Sequence, residues 1–197
     1  MKIHDVIRTR RQTMGLTQEG LADRLGVSAP AVNKSEKGLN YPDITLLPSL
    51  ARTLGGIPAP VFIAPGNHDC YGPRSVYAGT AWPDNVHIFS TVAVEGVELP
   101  GLNCVVHGAA FTTPHAARSP LMGFRAPEDG NLHVMALHGE VDGKGRYGPI
   151  PRAEIAASGL AYLALGHVHA GSGLQWEGGT AWSYPGCPEG RGFDELG

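Results

Sequence analysis

The sequence predicts two units of different fold class, an all-α unit over residues 1–55 and a strand-rich α/β unit over residues 56–197. In the first unit apolar residues recur with the period of a helix, whereas in the second they form short runs typical of strands. The charge changes as well: residues 1–54 carry eight Lys and Arg against five Asp and Glu, whereas the rest carries seven against 13. Glycine and proline in GGIPAP, residues 55–60, would end the last helix. We therefore expect a basic unit and an acidic unit with different partners.

The composition is that of a globular protein. Of the 197 residues, 42% are hydrophobic and 17% are charged. No apolar run approaches the roughly 18 residues that a membrane-spanning helix needs. The three cysteines cannot all pair, and their spacing fits no CxxC metal motif. Without a recognisable signal peptide, the sequence favours a reduced, cytoplasmic compartment and no membrane partner.

Four helices are expected in the first unit. The first lies near the N-terminus, and Thr17 can cap a second that stops at Gly26. Ser28 can cap a third, APAVNKSEK, and Asp43 a fourth in YPDITLLPSLARTLG. Two short capped helices separated by the dipeptide GV are the signature of a helix-turn-helix.

The stretch LTQEGLADRLGVSAPAVNKSEKG resembles the lambda-repressor/Cro-like (xenobiotic-response-element) family of DNA-binding domains. The resemblance covers about residues 3–54 and implies that the third helix enters the major groove of duplex DNA. It implies a phosphate contact for the second-helix residue Gln18, and DNA contacts for the third-helix residues Ser28, Ala29, Pro30, Asn33 and Lys34. The residue chemistry agrees, because Asn can read adenine with two hydrogen bonds and Lys can reach guanine or phosphate. The alternative is a plain helical bundle that mediates protein contacts.

Short apolar runs separated by turn residues predict six strands in the second unit. The runs are APVFIAP, NVHIFS, VAVEGVEL, LNCVVHG, LHVMALHG and LAYLALGHVH. One helix is expected at about residues 151–158, where Pro151 suits the first helical position. Strands therefore dominate this unit.

Polar residues follow three of these strands. They are GNHD at residues 66–69, His138 before a glycine, and GHVH at residues 166–169. The two histidines of GHVH are two residues apart, so both can face one site if the chain turns there. A single histidine is more often structural, but three such clusters in order, each beside a glycine, favour one shared site.

The order GNHD, His138, GHVH resembles the calcineurin-like metallophosphoesterases, and the tail YPGCPEGRGFDELG resembles their DNA-repair-exonuclease-like branch. The resemblance covers residues 57–197 and implies a truncated α/β domain built as a β-sandwich with flanking helices. It implies that one metal ion is bound by Asn67, His138 and His167, and a second by His169. Imidazole and oxygen ligands together suit manganese, iron or zinc, and we expect manganese.

The same resemblance implies roles for the other two residues of the GNHD motif. His68 would act on the phosphate of a phosphodiester or phosphomonoester substrate, as transition-state stabiliser or leaving-group acid. Asp69 would orient His68. Phosphodiesters repel hydroxide, so two cations that generate the nucleophile and neutralise the reacting oxygens help the reaction.

Two further motifs of that family, D-x-H and G-D-x-x-D, do not occur in these 197 residues. They would supply an Asp and a His to one metal ion and an Asp that bridges both ions. The four recognised ligands are all neutral, so no carboxylate among them offsets the charge of two dications. The sequence therefore predicts a metallophosphoesterase domain, residues 56–197, with an impaired dinuclear centre.

We therefore expect a DNA-binding protein that carries a nuclease-like phosphoester hydrolase domain of reduced activity. One alternative is a phosphoesterase whose missing ligands come from another chain, for example in a homodimer. Another is a transcriptional regulator in which the phosphoesterase remnant serves dimerisation or sensing. The last is a chimeric gene fragment without a joint function.

Overall fold

The structure is a computed structural model, and it describes residues 8–9, 11–25, 29–36 and 47–186. Its helices are α1 (Gln18–Leu25), α2 (Ala29–Glu36), α3 (Leu47–Gly55) and, in the second unit, α4 (Arg152–Ala157). Residues 11–13 are helical as well. The predicted caps Ser28 and Asp43 and the predicted stop Gly26 lie outside the described residues.

The pair α1 and α2 has the local features of a helix-turn-helix. The backbone N–H of Gly20 donates to Thr17 Oγ1 at 2.9 Å, which confirms Thr17 as the cap of α1. Ala22 of α1 and Val32 of α2 are both buried. The backbone of Pro30 and Lys34 lies within α2. The two helices therefore form the compact pair that the sequence predicts.

The second unit is rich in short strands. They are β1 (Val61–Ile63), β2 (Val86–Ile88), β3 (Glu95–Leu99), β4 (Cys104–Gly108), β5 (Leu132–His138), β6 (Glu140–Val141), β7 (Pro149–Ile150), β8 (Tyr162–Gly166), β9 (Gln175–Glu177) and β10 (Thr180–Ser183). All six predicted runs contain one of these strands, whereas β6, β7, β9 and β10 are additional. The predicted helix is present as α4, but Pro151 precedes it in an extended conformation, with ψ of 137°, instead of occupying its first turn.

Six strands form one mixed sheet in the order β3-β4-β5-β8-β10-β9. The central strands β4, β5, β8 and β10 are parallel, and β3 and β9 are antiparallel edges. One face of the sheet carries the core, in which Met135 and Leu137 of β5 alternate with less buried residues. Since parallel strands end at the same edge, His138 at the end of β5 lies beside Gly166 at the end of β8.

The strands β1 and β2 form a separate parallel pair. Phe89, one residue after β2, packs directly over Gly108 of β4: a Cβ at this glycine would be 2.1 Å from the phenyl ring. This contact brings the end of β1 to the edge of the large sheet where β5 and β8 end. The described residues thus establish a sheet-rich unit, while the complete β-sandwich stays an expectation.

The end of α3 is attached to the segment 72–85, which we call the strap. The Asn85 side-chain amide donates to the carbonyl oxygens of Leu54, Ile57 and Ala59 at 3.0, 3.2 and 3.2 Å. Gly55 lies so close to Pro83 that a Cβ would be 2.8 Å from the proline ring. The two units are therefore in contact as well as joined by the chain.

Among the described residues, no helix combines the length and apolar character required to cross a membrane.

Candidate metal centre and nucleic-acid interface

Three strand ends meet at one point of the second unit. The turn after β1 presents Asn67, the last residue of β5 is His138, and His167 follows β8. His138 Nε2 lies 2.7 Å from Asn67 Oδ1 and 3.2 Å from His167 Nδ1. The structure therefore brings together the three side chains that were expected to share one ion.

The three atoms form a donor set that suits a divalent cation. Without a metal ion, His138 Nε2 can carry a proton and donate it to Asn67 Oδ1. In the other tautomer the proton is on Nδ1, and the lone pair of Nε2 then faces the same small space as Asn67 Oδ1 and His167 Nδ1. Donors bound to one ion at about 2.1 Å lie roughly 3.4 Å apart in tetrahedral coordination and roughly 3.0 Å apart in octahedral coordination. The separations of 2.7 and 3.2 Å from His138 Nε2 are close to these values, so the residues fit one ion after a small outward shift.

Two glycines allow the strand ends to approach so closely. A Cβ at Gly66 would lie 2.6 Å from the His138 ring, and a Cβ at Gly166 would lie 3.2 Å from His138 Nδ1. His167 has a φ of 106°, a backbone conformation that is strained for a residue with a side chain. Such strain persists only where the surrounding structure imposes it, and it is common at functional sites.

Aromatic rings and burial keep the histidines neutral. The ring of Phe111 stands edge-on to His138 with centroids 5.2 Å apart, and Tyr147 lies 5.3 Å from His167. Burial, aided by the neighbouring His167, lowers the pKa of His138 to about 4. Burial also lowers the pKa of His167, although Glu140 opposes that shift. Both imidazoles are therefore neutral at pH 7, the state that coordinates metal ions.

His68 and His169 lie at the exposed rim of this centre. Both help to lower the pKa of His138 electrostatically, so they are close to it. Among residues 8–9, 11–25, 29–36 and 47–186, no group of three or more His, Cys, Asp or Glu side chains is placed to hold an ion. His169 thus does not converge with His138 and His167 on one point.

Asp69 has contacts that the sequence did not suggest. Its Oδ1 accepts the backbone N–H of Gly66 at 2.8 Å, and its Oδ2 accepts the hydroxyl of Tyr77. Asp69 therefore ties together the turn that carries Asn67. Its predicted effect on the orientation of His68 stays a prediction.

The helix pair of the first unit is held by a network around Glu36. The Glu36 carboxylate is 2% exposed and accepts hydrogen bonds from Arg11 Nε at 2.5 Å and Gln18 Nε2 at 2.7 Å. Gln18 Oε1 in turn accepts from Asn33 Nδ2 at 2.9 Å. The two amides expected at the DNA interface are thus fixed to each other across α1 and α2. Ala29 lies at the start of α2.

The fold and these two sites define a small helical DNA-binding unit attached to a sheet-rich unit with a histidine centre. Comparison with known proteins agrees. Residues 7–62 match the helix-turn-helix domain family. Over 50 residues the chain is 44% identical to an uncharacterized HTH-type transcriptional regulator of Methanothermobacter thermautotrophicus, covering 25% of this chain and 72% of that protein. The N-terminal part of the chain therefore belongs to the helix-turn-helix family, as its lambda-repressor-like pattern predicts.

The larger part of the chain is similar to a metallophosphoesterase. Over 143 residues it is 30% identical to the uncharacterized metallophosphoesterase YhaO of Bacillus subtilis, which covers 70% of this chain. The chain spans 34% of the length of that protein. No solved structure matched the chain.

Three residues around the candidate metal centre have no signal in the sequence. Phe111 and Tyr147 form its aromatic walls, and Tyr77 binds Asp69, yet none of them belongs to a motif. The glycines did have a signal, because each stands directly before a predicted ligand in GNHD or GHVH.

Proposed function

We propose that this chain is a cytoplasmic DNA-binding protein whose second unit, from about residue 56, binds one divalent transition-metal ion in a metallophosphoesterase-type site. We propose further that it hydrolyses phosphoesters only slowly by itself. The proposal rests on the convergence of three side chains. His138 Nε2 lies 2.7 Å from Asn67 Oδ1 and 3.2 Å from His167 Nδ1. The helix-turn-helix supports the DNA partner.

The charge of the donor set explains the expected low activity. A bound dication would polarise a phosphoryl oxygen and lower the pKa of a water molecule. Asn67, His138 and His167 hold such an ion through neutral atoms alone, so nothing in this set offsets its charge. His169 is the one recognised ligand for a second ion. Neither GNHD nor GHVH is expected to supply a carboxylate that bridges two ions. We propose that His68, exposed at the rim, holds a proton near the substrate phosphate.

Imidazole nitrogen and amide oxygen suit borderline metal ions. Manganese, iron and zinc accept such mixed ligands, whereas magnesium and calcium prefer oxygen alone. We propose manganese as the natural ion, with iron and zinc as competitors.

Metal binding by the full chain tests the first half of the proposal. The metal-free protein should take up about one equivalent of Mn²⁺ or Zn²⁺, measured by isothermal titration calorimetry. The double variant His138→Ala/His167→Ala should take up none, whereas Glu128→Ala, which removes an exposed side chain outside the donor set, should bind normally. Uptake that survives the double variant would place the ion elsewhere.

Hydrolysis of bis(p-nitrophenyl) phosphate with excess Mn²⁺ tests the second half. We expect slow turnover, because general acid–base help contributes about 10²–10⁴-fold and does not replace a second cation. Fast turnover by a monomer, lost in His68→Ala, would show that other residues complete the centre. Of the nearby acids, Glu140 is then the first to replace, because it acts on His167 whereas Asp142 is bonded to Arg152 at 2.6 Å.

A second candidate function follows from the same neutral donor set. If another copy of the chain supplies carboxylates, the homodimer is the active hydrolase. Turnover per chain would then rise with protein concentration in parallel with the dimer fraction, measured by analytical ultracentrifugation. Turnover per chain that is independent of concentration supports the single weak site.

A further inference from the structure

The turn that carries Asn67 is held by one carboxylate. Asp69 uses Oδ1 to accept the Gly66 N–H at 2.8 Å and Oδ2 to accept the Tyr77 hydroxyl. Gly66 precedes Asn67, and Asn67 Oδ1 lies 2.7 Å from His138 Nε2. Hydrogen bonds thus run from Tyr77 through Asp69 to Gly66, which is the residue before the predicted ligand.

The hydroxyl of Tyr77 stays protonated and so remains a hydrogen-bond donor to Asp69. Its side chain is half-buried, and burial together with the Asp69 carboxylate raises the pKa of Tyr77, so the phenol keeps its proton. The Trp82 indole N–H donates to the Tyr77 carbonyl at 3.0 Å, and the two rings lie 6.1 Å apart. The position of Tyr77 is therefore fixed from the strap side as well as from Asp69.

The strap itself has bonds that hold it in place. The Thr80 hydroxyl donates to the Val76 carbonyl at 2.8 Å, and the Ala78 N–H donates to the Ser75 carbonyl at 3.2 Å. At its end, Asn85 is bonded to the last turn of α3 and to the segment after it. Tyr77 thus belongs to the strap, which is held in place by these hydrogen bonds and contains no metal-site motif.

We propose that Tyr77 is a positioning residue of the metal centre, which acts through Asp69 to hold the Asn67 turn against His138. The inference rests on the proposed function in so far as the turn serves a metal ion. The hydroxyl of Tyr77 touches neither the donor atoms nor a substrate. Its role is to fix one of three ligands that come from three separate strand ends, where a small displacement opens the donor set.

The variant Tyr77→Phe in the full chain tests this role, with Co²⁺ as the probe. The matched control is Tyr162→Phe, which loses a hydroxyl bonded to Ser183 Oγ at 2.5 Å and lies four residues before the end of β8. Co²⁺ affinity should fall about 10- to 100-fold in Tyr77→Phe, as for other residues that orient metal ligands. The visible absorption bands of bound Co²⁺ should also change, because they report the identity of the ligands. Tyr162→Phe should match the wild type in both measurements.

Amide hydrogen exchange of the metal-free protein separates positioning from general loss of stability. In Tyr77→Phe the Gly66 amide should exchange faster, whereas the Met135 amide in the core strand β5 should not change. Unchanged exchange at Gly66, or equal acceleration at both amides, overturns the proposal. Equal loss of Co²⁺ affinity in both tyrosine variants overturns it as well. If the wild type binds no Co²⁺, the proposed metal function fails, but the Gly66 exchange still decides whether Tyr77 positions the turn.

Discussion

Gly66 and His138 pack directly against each other at the candidate metal centre. A Cβ built on Gly66 would lie 2.6 Å from both Cε1 and Nδ1 of the His138 ring. Real side chains do not approach this closely, so the imidazole occupies space that only glycine leaves open. As a result Asn67, the next residue, reaches His138 Nε2 with its side-chain oxygen.

Gly66→Ala should therefore weaken metal binding without unfolding the protein. The new methyl group forces the His138 ring or the turn to move, and we expect Mn²⁺ affinity to fall by at least about 10-fold. The control is Gly72→Ala in the same loop region, where a Cβ meets nothing within 4 Å. Calorimetric titration of both variants checks this expectation. Equal affinities would mean that the ring is free to move aside.

The metal-free protein should lose stability in acid because of its buried histidines. The pKa of His138 is near 6.5 in the unfolded chain and about 4 in the folded one. The unfolded chain therefore binds the extra proton first, so this contribution is complete above pH 6.5 and is lost as the pH falls towards 4. Partial exposure limits the loss to the order of 1–2 kcal/mol.

Urea unfolding at pH 7 and at pH 4.5 measures this effect. His138→Gln should flatten the dependence on pH relative to the wild type. Part of the slope should remain, since burial also lowers the pKa of His107 and of His167. Identical slopes in the variant and the wild type would show that His138 does not contribute.

Glu36 should be the most sensitive position of the helix-turn-helix. Glu36→Ala leaves the Arg11 guanidinium and the Gln18 amide without their shared acceptor. Because the Glu36 carboxylate is buried while the Arg11 side chain keeps some contact with water, the loss of stability should exceed that of an exposed acid and stay below that of a fully buried ion pair. Glu19→Ala, an exposed acid in the first turn of α1, should cost no more than about 1 kcal/mol. Loss of helical circular dichroism on heating compares the two; equal losses would mean that the Glu36 network is dispensable.

Duplex DNA should bind to the first unit with a marked dependence on salt, because phosphate contacts release counterions. In the full chain, Asn33→Ala and Lys34→Ala should weaken binding to a duplex selected from a random library by about 1–3 kcal/mol where they contact bases. Binding to unselected DNA should change less. Lys144→Ala in the second unit is the control. Equal losses on both kinds of DNA would show that α2 does not read the sequence.

Sequence patterns predicted the parts of this protein that depend on local chemistry. The cap at Thr17, the six apolar strands and the meeting of His138 with His167 all follow from spacing and from parallel strands ending together. The short strands β6 and β7 have two residues each, too few for a period to show. The Tyr77–Asp69 bond joins residues without a motif, because packing between loops leaves no repeating pattern in the chain.

The contact of Asn85 with the end of α3 has a consequence for dissecting the protein. A protease that cuts the exposed linker at residues 56–60 would divide the chain at its apparent domain boundary. The helical fragment would then no longer be covalently joined to Asn85, whose side-chain amide donates to the Leu54 carbonyl. Ala51, 4% exposed, lines a cavity of about 530 Å³ together with Val76 and Pro83, so separation of the fragments would uncover it. A helical fragment that ends at residue 55 therefore lacks contacts that α3 makes with the strap in the whole protein.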